Sequence, residues 1–248
     1  AAFAKAYGDK ILLWRITNTA DPVPGSLQTF FGGYKQFGRQ YKYSVSPKLA
    51  TQQHDMAMYF DVSVHKYYKA LQKAQDAGLI AKTPMQQLNG TEPLVAVWIG
   101  SSQALEKRPY MPDIQSFLLS EYQNMLPRYI IMDDDIKLYR QEFYPLNYFI
   151  REAQAVGADY IIIAEMDGHQ PRNSQNWYIN MNQSVFNANG GLINVISISK
   201  LVSPVSGNMH AAVYAVKEGR TQLKQYLPFI KTRYNKTPQW ISLGEVEN

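Results

Sequence analysis

Cysteine is absent from the 248 residues, which excludes a disulfide framework, a thiolate zinc site and a thiol nucleophile. Long apolar runs are also missing. Runs such as residues 94–99 and 160–164 are strand-sized, whereas a membrane-spanning helix needs roughly 20 such residues. Any membrane contact is therefore expected to be peripheral. No Lys/Arg cluster accompanies the net charge of +5, so the basic excess reads as a solvated surface and not as a nucleic-acid patch. Signal-peptide patterning is lacking in residues 1–7. They read as the end of a small-residue helix, as if the chain began inside a larger unit. What remains is 46% hydrophobic and 18% charged, a composition that can bury a core.

The chain divides into two blocks. In the first, residues 1–82, an apolar β-rich run at 11–17 predicts a strand. It is stopped by Asn18-Thr19-Ala20-Asp21-Pro22-Val23-Pro24-Gly25, where the prolines forbid helix and central strand. Residues 39–45 alternate like a partly exposed strand, and 52–77 read as helical up to Gly78. Residues 83–93, with Pro84, Asn89-Gly90 and Pro93, form the best linker. In the second block, 94–248, strands are expected near Leu94, Tyr129, Tyr160 and Leu192, with helices at 113–125, 146–156 and 174–187 between them. That rhythm is the pattern of βαβ units and a parallel, Rossmann-like sheet. A further strand at 210–217 and a helix at 218–227 complete the expectation.

Asp21 follows a strand and is braced by Pro22 and Pro24, at the sheet edge where α/β folds build sites. His54 comes 33 residues later, at the start of the expected helix. A fixed carboxylate orients an imidazole and stabilises its cation, and the imidazole deprotonates a hydroxyl. The pair supplies two members of an acyl-transfer triad; an ordinary turn and a surface histidine are the plain alternative.

The stretch Arg15-Ile16-Thr17-Asn18-Thr19-Ala20-Asp21-Pro22-Val23-Pro24, then Gly33-Tyr34-Lys35-Gln36-Phe37-Gly38 and Gln53-His54-Asp55-Met56-Ala57-Met58-Tyr59, resembles the C-terminal part of the class 3 lipases, an α/β-hydrolase family. The resemblance spans residues 11–60. It implies that Asp21 is the triad acid and His54 the base, that no cofactor is needed, and that the substrate is a lipid or small acyl ester. It also implies the last part of an α/β-hydrolase-like sheet in the first block. The family's Gly-x-Ser-x-Gly elbow is nowhere in the sequence. Gly100-Ser101-Ser102-Gln103-Ala104 comes nearest, but it follows the histidine instead of preceding the acid, so Ser102 is a weak nucleophile candidate. The expectation is that the nucleophile lies on a segment upstream of residue 1.

In the second block, Asp133-Asp134-Asp135 and Glu165-Met166-Asp167-Gly168-His169 each follow an expected strand. Carboxylates on one sheet rim hold Mg²⁺ or Mn²⁺ through oxygen ligands; acidic residues that cap helices or solvate loops are the simpler reading. Arg108-Pro109-Tyr110, Ile114-Gln115-Ser116-Phe117-Leu118, Ile131-Met132-Asp133-Asp134-Asp135 and Gly157-Ala158-Asp159-Tyr160-Ile161-Ile162-Ile163 loosely resemble the nucleotide-binding half of GT-A glycosyltransferases. That resemblance implies Asp133 or Asp134 on the nucleotide and Glu165 with Asp167 on the metal. An ester hydrolase is the leading reading. A metal-dependent nucleotide-sugar transferase and a non-catalytic α/β interaction module are the alternatives.

Overall fold

The computed structural model describes residues 14–21, 38–43, 56–101, 111–132, 145–174, 176–202 and 207–231, and the structural statements that follow concern these residues. Alternating apolar side chains build the centre. Strand β4 (Leu94–Ser101) sends Val95 and Val97 to one face of a sheet and Leu94, Ala96 and Trp98 to the other, as a two-residue period requires. Beside it run β5 (Arg128–Ile131) and β6 (Tyr160–His169), both parallel to β4. The sheet continues antiparallel through β7 (Trp177–Asn187) and β8 (Leu192–Val202). At the opposite edge the two-residue β3 (Gln86–Gln87) pairs antiparallel with β5. The order is β3-β5-β4-β6-β7-β8, a mixed six-stranded sheet. A separate two-stranded parallel sheet joins β1 (Trp14–Asn18) to β2 (Arg39–Tyr43), with Trp14 opposite Arg39 and Asn18 opposite Tyr43.

Four helices cover the six-stranded sheet. Helix α3 (Leu146–Ala155) lies on the face of Trp98, whose ring meets Phe149 edge-on at 5.1 Å. Helices α1 (Met56–Asp76), α2 (Met111–Met125) and α4 (Asn208–Tyr226) lie on the other face. There Ile114, Leu118, Tyr122, Met209, Ala212 and Leu223 are buried against Ile162, Met166, Met181 and Ile198. Truncating one such core leucine, Leu118, would cost about 2–5 kcal/mol. Helix α1 ends where Gly78 takes φ +71°, a left-handed turn that a side chain would strain. Its Phe60 and Val64, one turn apart, pack on the same core.

Helix α1 also caps α4. Buried Asp61 accepts a 2.9 Å hydrogen bond from the His210 backbone N–H in the first turn of α4. Gly207 at the N-cap supplies no side-chain oxygen of its own, so the carboxylate satisfies a helix-end donor from another element. A Cβ at Gly207 would collide with that carboxylate. None of the helices is long and apolar enough to cross a membrane.

Mixed α/β content and the main strand positions agree with the sequence reading, but three expectations change. The expected helix at 174–187 is β7: Ile179, Met181, Gln183 and Val185 point into the α4 layer while Tyr178, Asn180, Asn182 and Ser184 face outward, a two-residue period. The expected strand at 210–217 lies inside α4, because Met209, Ala212, Val213 and Val216 recur at three- and four-residue intervals on the buried side. The sheet is therefore mixed instead of wholly parallel. Finally, the strand expected to stop at Ala164 continues to His169, so Glu165 and Asp167 lie within β6 and not in a loop after it.

Candidate functional site

Asp21 closes a turn at the end of β1. Its backbone N–H donates to the Asn18 carbonyl at 3.1 Å, and the Asn18 side-chain oxygen accepts from the Ala20 N–H at 3.1 Å. This turn uses asparagine's capacity to satisfy its own following backbone. The residue is 6% exposed. A buried carboxylate needs donors, and the Tyr59 hydroxyl provides one, donating to Oδ2 at 2.6 Å. The same phenol oxygen accepts from the Asn18 N–H at 3.3 Å. Burial, reinforced by the hydrogen bond to Asp21, pushes the Tyr59 phenol above its ordinary pKa. It therefore stays protonated at neutral pH and keeps donating. The β1–β2 pair is tied alongside by Gln40 Nε2 donating to Thr17 Oγ1 at 3.0 Å.

Tyr59 sits in the opening turn of α1, so this contact fixes the start of that helix against the end of β1. His54, the expected partner of Asp21, lies outside the described residues, as do Ser102, Asp133 and Asp134. Tyr59 belongs to the His54-x-Met-x-x-Tyr59 pattern, yet the sequence alone gave it no part in holding the acid. The signal was present as a phenol at fixed distance from the histidine.

Glu165 and Asp167 project from the same face of β6, being two residues apart. Across the strand they face Asn182 and Asn180 respectively. Burial, then the neighbouring Asp167 charge, pushes the Glu165 carboxyl up to about 7. Asp167 Oδ1 accepts from the Gly168 N–H at 2.7 Å. Next along the strand, His169 Nδ1 lies 2.9 Å from Asn180 Nδ2, and its imidazole stacks on Tyr178. Among the described residues, no three His, Asp or Glu side chains are grouped to hold a metal ion.

A cavity of about 710 Å³ opens elsewhere, over the carboxyl ends of β4 and β5 and between α1 and α2. Its wall includes Ser101, Gln115, Asp113, Leu119, Tyr68 and Lys82. Buried Ser101 accepts a 3.0 Å hydrogen bond from Gln115 Nε2. Asp113, in the first turn of α2, holds His65 Nδ1 at 2.6 Å. This carboxylate–imidazole pair spans two helices and has no sequence spacing that announces it. Neither Asp21 nor the Glu165–Asp167 pair lines the cavity.

No protein-family model matches the chain, and no curated protein matches it. Among solved structures, the chain is similar to a PelC dodecamer subunit from Paraburkholderia phytofirmans at 11% identity and a TM-score of 0.38, covering 56% of this chain and 92% of that one. It is similar to the protein CT253 from Chlamydia trachomatis at 12% identity and a TM-score of 0.39, covering 55% and 98%. A third is lipoprotein GNA1162 from Neisseria meningitidis, at 13% identity and a TM-score of 0.30, covering 54% and 99%.

Proposed function

We propose that the chain carries the acid and base of a serine ester hydrolase acting on an acyl ester, with Asp21 orienting His54 and the nucleophilic hydroxyl supplied by polypeptide beyond this sequence. The observation that carries the reading is the 2.6 Å hydrogen bond from Tyr59 to Asp21. Tyr59 follows His54 by five residues, at most about 17 Å of extended chain, a length that permits the histidine to approach the carboxylate. The hydrogen bond that Asp21 accepts from Tyr59 holds its carboxylate in one orientation, which is what a triad acid requires. The parallel β1–β2 pair is consistent with the closing strands of an α/β-hydrolase-like sheet, the arrangement that the lipase resemblance implies.

In this mechanism His54 removes the proton from the nucleophilic hydroxyl as that oxygen attacks the ester carbonyl. The resulting imidazolium is stabilised by Asp21. It then returns its proton to the leaving alcohol as the tetrahedral intermediate collapses to the acyl-enzyme. A lipid ester as substrate rests on the resemblance.

The test is an NMR titration of His54 in the wild-type chain and in Asp21→Asn. A carboxylate beside the ring favours its cation, so the substitution is expected to lower the His54 pKa. An unchanged His54 titration in Asp21→Asn would remove the dyad and the reading with it.

A further inference from the structure

We infer that the cavity over the carboxyl ends of β4 and β5 binds a small organic cation, an ammonium group on a short hydrocarbon stem that also carries a hydroxyl or carbonyl oxygen. Its volume of about 710 Å³ falls among those of small-molecule sites, about 300–1,000 Å³. Asp21 is not in its wall, so this site is independent of the ester-hydrolase reading. The two helices that flank the cavity are tied together. Tyr68 of α1 lies 3.1 Å from Ser120 of α2, and His65 of α1 lies 2.6 Å from Asp113 of α2. Ser120 spends its proton on the Phe117 carbonyl at 2.8 Å, so the Tyr68 phenol is the donor of the first pair. Burial pushes that phenol up to about 12, which keeps it neutral.

Charge in the wall selects the ligand. Lys82 is the one lysine or arginine there among the described residues, and it is spent on Asp76 at 3.3 Å. A phosphate or carboxylate would meet no unpaired lysine or arginine. Asp113 is the opposite case. Its side chain is only 12% exposed, and a buried carboxylate needs donors for both oxygens. Oδ2 is taken by His65 Nδ1, whereas Oδ1 has no partner among the described residues. Asp113 stands in the first turn of α2, where the helix end contributes about half a positive charge, less than the full charge of the carboxylate. An ammonium group satisfies that oxygen. Buried Ser101 supplies the second polar point: its Oγ accepts from Gln115 Nε2 at 3.0 Å, while its own proton has no acceptor among the described residues. A ligand oxygen takes that proton. Ile99, on the same face of β4 as Ser101, joins Ile131 of β5 and Leu119 of α2 as the apolar surface for the stem.

The test keeps one stem and changes its charge. Aminohexanol, hexanediol and hydroxyhexanoate are each offered to the full chain at equal concentration, and binding is read by saturation-transfer NMR. Aminohexanol alone should give a signal. That signal should be lost in Asp113→Asn, which keeps an oxygen for His65 but removes the charge. It should also be lost in Gln72→Trp, which places an indole in the cavity from an exposed position on α1. Far-UV circular dichroism reports whether each variant is folded; should Asp113→Asn fail to fold, Gln72→Trp and the three probes still decide. The assignment is overturned by a wild type that gives no aminohexanol signal, by hexanediol or hydroxyhexanoate binding equally well, or by a signal undiminished in either folded variant.

Discussion

Tyr59 donates a 2.6 Å hydrogen bond to Oδ2 of Asp21, and through it the first turn of α1 is fastened to the end of β1. Hydrogen bonds to charged groups contribute about 1.5–3 kcal/mol. Tyr59→Phe is therefore expected to lower unfolding free energy by about 1.5–3 kcal/mol. Asp21→Asn should cost less, because the amide oxygen still accepts. Urea titrations of the two variants check the order; a Tyr59→Phe chain as stable as wild type would show that the contact contributes nothing.

A second buried pair tests the packing of the main core. Tyr122 on α2 donates to Oε1 of Gln183 on β7 at 2.5 Å, and both side chains are fully buried. Gln183 Nε2 has no partner, so the amide already carries an unsatisfied donor. Tyr122→Phe is expected to destabilise by about 1–3 kcal/mol, because it strands the other half of the amide as well. Tyr122→Phe with Gln183→Leu should recover much of that loss, since replacing both partners by apolar groups is nearly neutral. A double variant as unstable as the sum of the two singles, by calorimetry, would contradict this account.

The Glu165 carboxyl gives stability a pH dependence of definite sign. Its pKa is raised to about 7 in the folded chain by burial and by Asp167, whereas in the unfolded chain it titrates near 4.5. The folded state thus binds more protons between these values, and stability falls as pH rises through that window. Glu165→Gln removes the ionisation, so its melting temperature relative to wild type should climb from pH 4.5 to 7 and then level off. Parallel melting curves for the two proteins across that range would show that the carboxyl is not perturbed.

Catalysis by these residues alone should be near background. With the Gly-x-Ser-x-Gly elbow missing from the sequence, the acid and base have no activated hydroxyl to serve, and a triad without its nucleophile retains little. The expectation for short-chain p-nitrophenyl esters is turnover indistinguishable from buffer, unchanged in Ser102→Ala. Turnover well above buffer that persists in Ser102→Ala and is lost in His54→Ala would mean that a hydroxyl within this chain already does the work.

Local pattern determined a good part of this protein. The runs that became β4, β5 and β6 are apolar and β-branched, α2 and α3 follow them at βαβ spacing, and the Asn18–Asp21 turn is written in asparagine, aspartate and proline chemistry. Each depends on neighbours within a few residues. The sequence around 177–187 was ambiguous because its polar alternate positions suit either a helix face or an open sheet face; α4 packing on one face, with the polar positions half-buried on the other, decided for the strand. The run His210-Ala211-Ala212-Val213-Tyr214-Ala215-Val216-Lys217 is too apolar for its period to show, and its burial against β7 and β8 made it a helix. Tertiary structure alone paired Tyr59 with Asp21, His65 with Asp113 and Asp61 with the start of α4. Such pairings depend on where separate elements meet in space, and the spacing of residues along a chain does not encode that distance.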